Sequence, residues 1–527
     1  MRSVRTIAAL GGLALLLGAC GGNAATGDQT FADGRTFTMV LGADPGTLDP
    51  HLTSLSVAML VDRFMYDSLV NIDPDGNEVA GLAQTWQGTT TSATYTLRKD
   101  VRCANGSPLT ATTVADNINF VGDPKNASSR IGAFVPAGAT AKGDDAAGTV
   151  TVTSPAPASF LARMVGGLPI VCDKGLKDRN LLKQGGDGTG MFTLTEAVAN
   201  DHYTFTRRKD YAWGPGDWKA DQRGLPDTAV LKVVTNESTA ANLLMSKQAN
   251  AAQLVGPDRQ RVQAANLHQR QIEATLGELW FNHKSGLPGA DEQVRKALVQ
   301  ALDLTELGKV VSSGNGKPPT GLVSSGGAPC KQNTVEGNLP GHDLDAAKAA
   351  LDAAGWTAGA GGVRVKGGQK LTIAIAYPAS LGTGSQAGAE LTQKVWTSAG
   401  AEVTVKPVTD AEIGTGLLGG QLAWEAAFLP LNTPLPSQVV PYVSGPSAPN
   451  GVNFSSIDNA EYTKAVTEAS AVAGTAGCEQ WAAAEKAIFR HVDVVPFVNS
   501  TVPIFGQGAR FEIGDGAMIP QSIRMLA

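Results

Sequence analysis

What the chain lacks narrows its function first. Its six histidines, at positions 51, 202, 268, 283, 342 and 491, are scattered, with no HExxH and no Cys/His spacing suited to zinc. The sequence therefore predicts neither a metal site nor a metal-dependent hydrolase. A GxSxG elbow is missing as well: "TGSQAG" (383–388) has no glycine at the first required position, which removes the usual placement of a nucleophilic serine. The lysine of "SSGNGKP" has neither the upstream glycine nor the following Ser or Thr of a phosphate-cradling loop, so no nucleotide cofactor is expected. Basic charge is short, with 42 Lys and Arg against 48 Asp and Glu, a net charge of −6; this excludes the positive footprint of a nucleic-acid-binding surface. Long apolar runs are absent too. The stretch 7–17 holds 11 residues, where a helix needs about 20 to cross a bilayer.

That short stretch has a meaning of its own. Arg2 and Arg5 precede it, and Leu17-Gly18-Ala19-Cys20 follows it, the order of a secretory signal: charge, apolar segment, small residues at a cut. The four residues at the cut resemble a bacterial lipobox, which implies a signal peptide over 1–19 and a lipid on Cys20. The simpler alternative is an ordinary secretory peptide with an incidental cysteine. One lipid chain holds a protein marginally and two hold it stably, so a modified Cys20 is a durable anchor to the extracytoplasmic face of the cell membrane. Residues 20–30 ("CGGNAATGDQT" in the main) carry glycines and no apolar period, as a flexible tether does.

The remaining body, roughly 500 residues, is too long for one compact core and predicts two or more lobes. With 43% hydrophobic and 17% charged residues it buries cores of ordinary size. Alternation of apolar and polar residues marks strands at "TFTMVLG", "TVTVTS", "YTFTRRKD", "AVLKVVTN", "KLTIAIAYP" and "AEVTVKPV", and helical spacing fills the intervals, giving an α/β class. The clearest helix is capped by Asp291 and sets Val294, Ala297, Leu298, Ala301 and Leu302 on one face. A second runs from Asp343 or Asp345 to Gly355, and a third, "CEQWAAAEKAIFRHV", puts Trp481, Ala484, Ile488 and His491 on one side.

The order of landmarks from residue 37 onward resembles the peptide-binding family of bacterial ABC-transporter substrate-binding proteins, the dipeptide, oligopeptide and nickel receptors. It runs "DPGTLDP", "YDSLVNIDPDGNEVAGLAQTW", "YTLRKDVRCANGSPLTATTVADNI", "GTGMFTLTE", "RRKDYAW", "WFNHKSGLPGADEQVRKALVQALD" and "DLDAAKAALDAAGW". The resemblance implies a two-lobed periplasmic-binding-protein type II fold (Venus flytrap) with an extra subdomain in lobe I. Lobe I comprises 31–55, 185–277 and 495–527, the extra subdomain 56–184 and lobe II 278–494. The chain crosses between lobes near 278–285 and near 493–500, and two short crossovers make a hinge. The implied function is non-catalytic: a monomeric receptor closes on a solute, most simply a peptide, and presents it to ABC permease subunits in the membrane. A non-peptide solute (opine-like, oligosaccharide or metal chelate) is the alternative, with an envelope hydrolase or a sensory or chaperone module behind it.

Four cysteines remain beside Cys20, at 103, 172, 330 and 478. An even number in an exported chain fits two disulfides, and buried free thiols are the alternative; three connectivities are open to the sequence. Within the lobes that the resemblance implies, Cys103 with Cys172 and Cys330 with Cys478 is the pairing that leaves a moving hinge uncrossed. For the ligand, the family often places an acid in lobe II to meet a peptide amine, and the counterpart here, "LAWEAAFLPLNTPLPSQVV" (422–440), departs from this: no Asp or Glu occurs between Glu425 and Asp458. The expected ligand-binding residues are Asp44, Thr47 and Leu48 in the first loop, Trp280 and Asn282 at the first crossover, Tyr377 after its strand, and Trp424, Glu425, Phe428 and Asn432 on the lobe II wall. Each has a plainer reading as core, turn or hinge backbone.

Overall fold

The computed structural model describes residues 30–53, 55–183, 185–256, 258–323, 327–409, 412–448 and 450–527. The expected signal peptide, Cys20 and nearly all of the tether lie outside the described residues.

A single 11-stranded sheet organises the body. Its middle is made by two long strands, His268–Phe281 and Val494–Gly506, which pair antiparallel from His268 opposite Gly506 to Trp280 opposite Val494. On one side of this pair lie Ala426–Phe428, Thr372–Pro378 and Glu402–Val408, and on the other Ala251–Gln253, Thr36–Leu41, Thr228–Val233, His202–Arg207 and Phe192–Val198; the two-residue strand Gly316–Lys317 pairs onto the second long strand. Within the crossovers expected near 278–285 and 493–500, residues 278–281 and 494–500 belong to these two neighbouring strands, which share one hydrogen-bonded ladder. That ladder breaks register between Thr275 and Glu278, a bulge that bends and twists the strand. Gly277 sits at the bulge because a Cβ there would lie 2.2 Å from the Phe497 ring.

The strands form where alternation predicted them. Phe37, Met39 and Leu41 point inward from the first, and Val150 and Val152 do so from "TVTVTS", which belongs to a separate four-stranded antiparallel sheet ordered Ala83–Gly88, Ser92–Leu97, Thr149–Thr153, Thr140–Asp144. Helix Ala111–Gly122 covers that sheet, with Val114, Ile118 and Val121 fully buried. One continuous core joins it to the lobe I strands. The lobe II half of the large sheet is covered on both faces: Leu279, Phe281, Ile373 and Trp396 belong to one core, and Trp280, Trp424, Phe454 and Ile488 to another. This two-lobed α/β arrangement is the type II binding-protein fold.

The helix signals hold in detail. The Asp291 side chain accepts from Gln293 N–H at 3.0 Å to start Glu292–Gln300, and Asp343 caps Leu344–Ala353 by accepting from Ala346 N–H at 2.8 Å. Gly355 follows in the left-handed region, at φ 84°, as helix ends favour. In the third helix, Cys478–Arg490, Trp481, Ala484 and Ile488 are buried. His491 differs from the expected core stripe: it lies half-exposed just past the helix end, between Glu292 at 2.7 Å and Glu461 at 3.2 Å, because an imidazole finds carboxylates at the surface and none in the apolar core. The structure joins Cys103 to Cys172 and Cys330 to Cys478. Among the described residues no helix is long and apolar enough to cross a membrane.

Candidate functional site

The two long strands carry Glu273 and Asn499 to the junction of the lobes. Against them lean residues 320–323 and 328–334, the helix Cys478–Arg490 and Pro436 at the start of helix Pro436–Val443, and together they line a half-open cavity of about 300 Å³. Its wall is built from the sequence upward. Trp481 and Glu485 stand four residues apart on one helix and so share a face. The Glu485 carboxylate accepts from the Leu322 N–H at 2.7 Å and from the Thr334 hydroxyl, which ties both arms of the 320–334 segment to the helix. The Cys330–Cys478 disulfide ties the same segment to the helix's first residue.

Polar groups of this wall are left without partners. Trp481 is 3% exposed, yet its indole N–H has no hydrogen-bond acceptor among the described residues, and Gln332 Oε1 and Asn499 Oδ1 are equally unmatched. Buried polar atoms are nearly always satisfied, so three orphans around one cavity mark a place where a solute's own polar groups fit. Lys331 and Glu273 add charge to the lining. Behind the wall, Glu278 accepts from the Leu431 N–H at 2.8 Å through one oxygen while the other is buried and unpartnered. Burial, with the Glu485 charge adding to it, pushes the Glu278 carboxyl up to about 8.

A pH dependence of stability follows. The folded Glu278 holds its proton up to about 8, whereas an unfolded glutamate loses it near 4.5. The stability this proton confers is fully present below 4.5 and is lost as the pH rises to about 8, by at most about 1.4 kcal/mol per pH unit. Urea unfolding at pH 5 and pH 8 should show the wild type weakening more than Glu278→Gln; identical changes in the two proteins would contradict the assignment.

Residues of the expected extra subdomain pack against Trp481 and its neighbours. Phe160 packs on Trp481 with ring centroids 6.4 Å apart, within a small core that includes Met164, Leu435 and Ala469. Ser159 donates to Ala469 O at 2.7 Å and accepts from Gly474 N–H at 2.7 Å, and Gln438 Nε2 donates to Ala133 O at 2.8 Å. The Arg163 guanidinium donates to Gly327 O. The lobes are in contact across these groups.

The expected ligand-binding residues do not line this cavity. Among the described residues that line the cavity, none is Asp44, Thr47, Leu48, Trp280, Asn282, Tyr377, Trp424, Glu425, Phe428 or Asn432. Asp44 shapes lobe I: its carboxylate accepts from Gly46 N–H, Asn200 N–H and the Tyr203 hydroxyl. Partial burial pushes its pKa up, but these three bonds outweigh it and hold the group below the usual range. Thr47 accepts from Asp49 N–H, and Leu48 is core. Trp280, Tyr377, Trp424 and Phe428 are core side chains; Trp280 spends its N–H on Leu429 O at 2.8 Å. Asn282 bridges Trp424 O and Lys284 N–H, fixing the crossover backbone, and Glu425 accepts from Ala374 N–H at 2.7 Å. Asn432 accepts from Thr275 N–H at 2.8 Å, which pins the lobe II segment to the hinge bulge. The cavity residues escaped sequence reasoning because they come from distant segments. The available signal was Glu485, a carboxylate one turn from Trp481 on a helix otherwise read as core.

Residues 78–430 match the model of the middle region of bacterial extracellular solute-binding proteins, family 5. The chain is 28% identical over 397 residues to Protein XP55 of Streptomyces lividans, covering 72% of this chain and 68% of that one. It is 27% identical over 303 residues to the glutathione-binding protein GsiB of Salmonella choleraesuis (strain SC-B67), covering 55% of this chain and 56% of the relative, little more than half its length. Among solved structures it is similar to a substrate-binding protein from Microbacterium hydrocarbonoxydans complexed with 4-hydroxybenzoate hydrazide. That match has 25% identity and a TM-score of 0.74, over 93% of this chain and 99% of the other.

Proposed function

We propose, for a chain that belongs to family 5 of the bacterial extracellular solute-binding proteins, that it is the receptor of an ABC importer and holds a short peptide in the cavity between its lobes. The observation that carries this reading is the half-open cavity of about 300 Å³ where the two long strands meet lobe II, lined by Trp481, Gln332 and Asn499 with unspent hydrogen-bonding atoms. Pockets of this size and lining suit a small solute. Lobe I is assigned to 31–55, 185–277 and 495–527, the extra subdomain to 56–184 and lobe II to 278–494. Closure brings the extra subdomain onto Trp481, so a solute that adds contacts in this closed form shifts the population toward it. Membrane permease subunits then read the closed shape. The receptor acts as a monomer, without catalysis.

A non-peptide solute is the second reading, favoured by one observation. The segment 426–457 has no acid, and Asn432 is committed to the hinge backbone, so lobe II offers no carboxylate there for a peptide amine. A thermal-shift panel separates the two. A bound solute at about 100 times its Kd stabilises by about 2.7 kcal/mol, so mixed short peptides should raise the melting temperature by several degrees. A rise with oligosaccharides or nickel chelates alone would replace the peptide by those solutes.

The body is held at the extracytoplasmic face of the cell membrane by lipid on Cys20, after removal of 1–19, through the tether 20–30. Anchoring confines the receptor near its permease. Cys20→Ala should release the protein from the membrane fraction of its host; unchanged partitioning would refute the anchor.

A further inference from the structure

Residues 30–32 and 525–527 meet in one seam. Ala527 N–H donates to Thr30 O at 2.8 Å, Ala32 N–H to Met525 O at 3.0 Å and Met525 N–H to Gly224 O at 2.7 Å, and Phe31 bridges to Leu526. Arginines stand around it. Arg35 donates to Leu526 O at 3.1 Å and Arg223 to Phe31 O at 3.2 Å, while Arg510 lies directly opposite Arg524 in an antiparallel strand pair. We propose that this face of lobe I is a membrane-facing surface that meets the anionic headgroups of a lipid bilayer. This rests on the reading of Cys20 as the lipid anchor.

The charge of this face runs against that of the chain. Arg35, Arg510 and Arg524 meet no carboxylate among the described residues; Arg524 donates instead to Gln521 O and Gln222 Oε1. Arg223 reaches Asp33 at 3.6 Å with its side chain still 72% exposed. Beside Arg35, whose carbonyl accepts from Asp227 N–H at 3.0 Å, Arg207 and Lys209 share the one Asp227 carboxylate. Even with Asp221 counted, cations exceed acids here, on a chain with a net charge of −6. Like charges directly opposite one another weaken a strand pair, and an anion seated across Arg510 and Arg524 relieves that repulsion.

Position and composition point to a bilayer as the anion. Ten residues separate Cys20 from Thr30 and span at most about 35 Å, so a lipid on Cys20 keeps this seam within that distance of the membrane. Phe31, beside Arg223, is 36% exposed, and an aromatic ring among basic residues suits a surface that lies on headgroups. Arg2 and Arg5 leave with residues 1–19, which makes the exported body more acidic still. An anionic bilayer therefore repels the body as a whole and attracts it by this face. The attraction fades within about 10 Å, so it orients a body that the lipid already holds. Lobe I then stands on the membrane and lobe II is left to move.

The test uses the lipidated protein from its host, inserted in vesicles of phosphatidylcholine alone and of phosphatidylcholine with phosphatidylglycerol. Flotation of the vesicles reads the anchor. Energy transfer to acceptor lipids reads the orientation, from a fluorophore on Thr36→Cys, exposed beside Arg35, or on Asp345→Cys, exposed on helix Leu344–Ala353. Transfer from residue 36 should exceed that from residue 345 in the anionic vesicles, and the gap should shrink in neutral vesicles and in high salt. Each basic residue near an anionic surface favours it about five-fold. The triple variant Arg35→Gln, Arg223→Gln, Arg510→Gln should therefore lower the preference for this face about a hundred-fold and bring the anionic result to the neutral one. The corresponding triple lysine variant keeps the charge and should keep the orientation, which separates charge from the lost bonds to Leu526 O and Phe31 O.

Floating protein with the same transfer in neutral and anionic vesicles overturns the membrane-facing surface and leaves the anchor standing. An orientation unmoved by the glutamine triple does the same, as does one lost equally in the lysine triple, since bonds and not charge would then set it. Protein that floats with neither vesicle refutes the anchor, and the proposal falls with it.

Discussion

Arg295→Ala should destabilise the protein by about 3–5 kcal/mol, the cost of stripping one partner from a buried ion pair. Arg295 lies on helix Glu292–Gln300 and is 4% exposed. Its guanidinium donates to Val492 O at 3.0 Å, Gly289 O at 2.9 Å, His491 O at 2.8 Å and Asp493 Oδ1 at 3.0 Å. Asp493, equally buried, takes Asn459 Nδ2 at 2.7 Å on its other oxygen. Alanine leaves that carboxylate and three carbonyls without their donor, immediately before the second long strand enters the hinge. His283 stands 4.0 Å from Asp493, and in the wild type burial, with the Arg295 charge adding to it, pushes its pKa down to about 3, so that it is neutral beside the pair. Urea unfolding at pH 7 checks this, with Arg295→Lys, which keeps the charge and loses the fork, expected between alanine and wild type. A loss below about 1 kcal/mol for alanine would show that the pair is not what fixes the crossover.

Replacing Cys330 and Cys478 by serine has the second large effect. The bridge closes a loop of 148 residues, and releasing it returns entropy to the unfolded chain worth about 2–5 kcal/mol. A functional consequence accompanies the loss of stability. The bridge ties Cys330, and Glu485 ties Leu322 and Thr334, to the helix carrying Trp481. With the bridge gone, ligand affinity should fall at temperatures where the variant is still folded. Removing Cys103–Cys172, neither cysteine of which lines the cavity, should cost stability and lower affinity less. If both double variants lose affinity equally, the disulfide's link to the cavity is wrong.

The fold was legible because local chemistry and burial agree over most of the chain. Asp291 and Asp343 read as caps and are caps, and the alternation in "TFTMVLG" and "TVTVTS" names the side chains that point inward. The form of the expected crossovers was not legible. Sequence places two crossovers, but the pairing of His268–Phe281 with Val494–Gly506 is a contact between segments far apart along the chain, and nothing local announces the bulge beyond Gly277 itself. The cavity was the least legible part. Aromatic and amide residues near the crossovers were natural guesses, yet Trp280 and Phe428 face apolar neighbours, and Asn282 and Asn432 satisfy backbone groups. The cavity draws Glu273, Gln332, Trp481 and Asn499 from four separate segments; only tertiary structure brings them together, and no spacing rule joins them.

The central claim is that one small peptide occupies the cavity between the lobes. Native mass spectrometry of the purified protein, challenged with mixed short peptides, tests it most directly. One peptide mass per chain, released on gentle denaturation and weakened by Trp481→Phe, is the expected result. Persistent bare mass with every peptide, and a shift with oligosaccharides or nickel chelates instead, would contradict it.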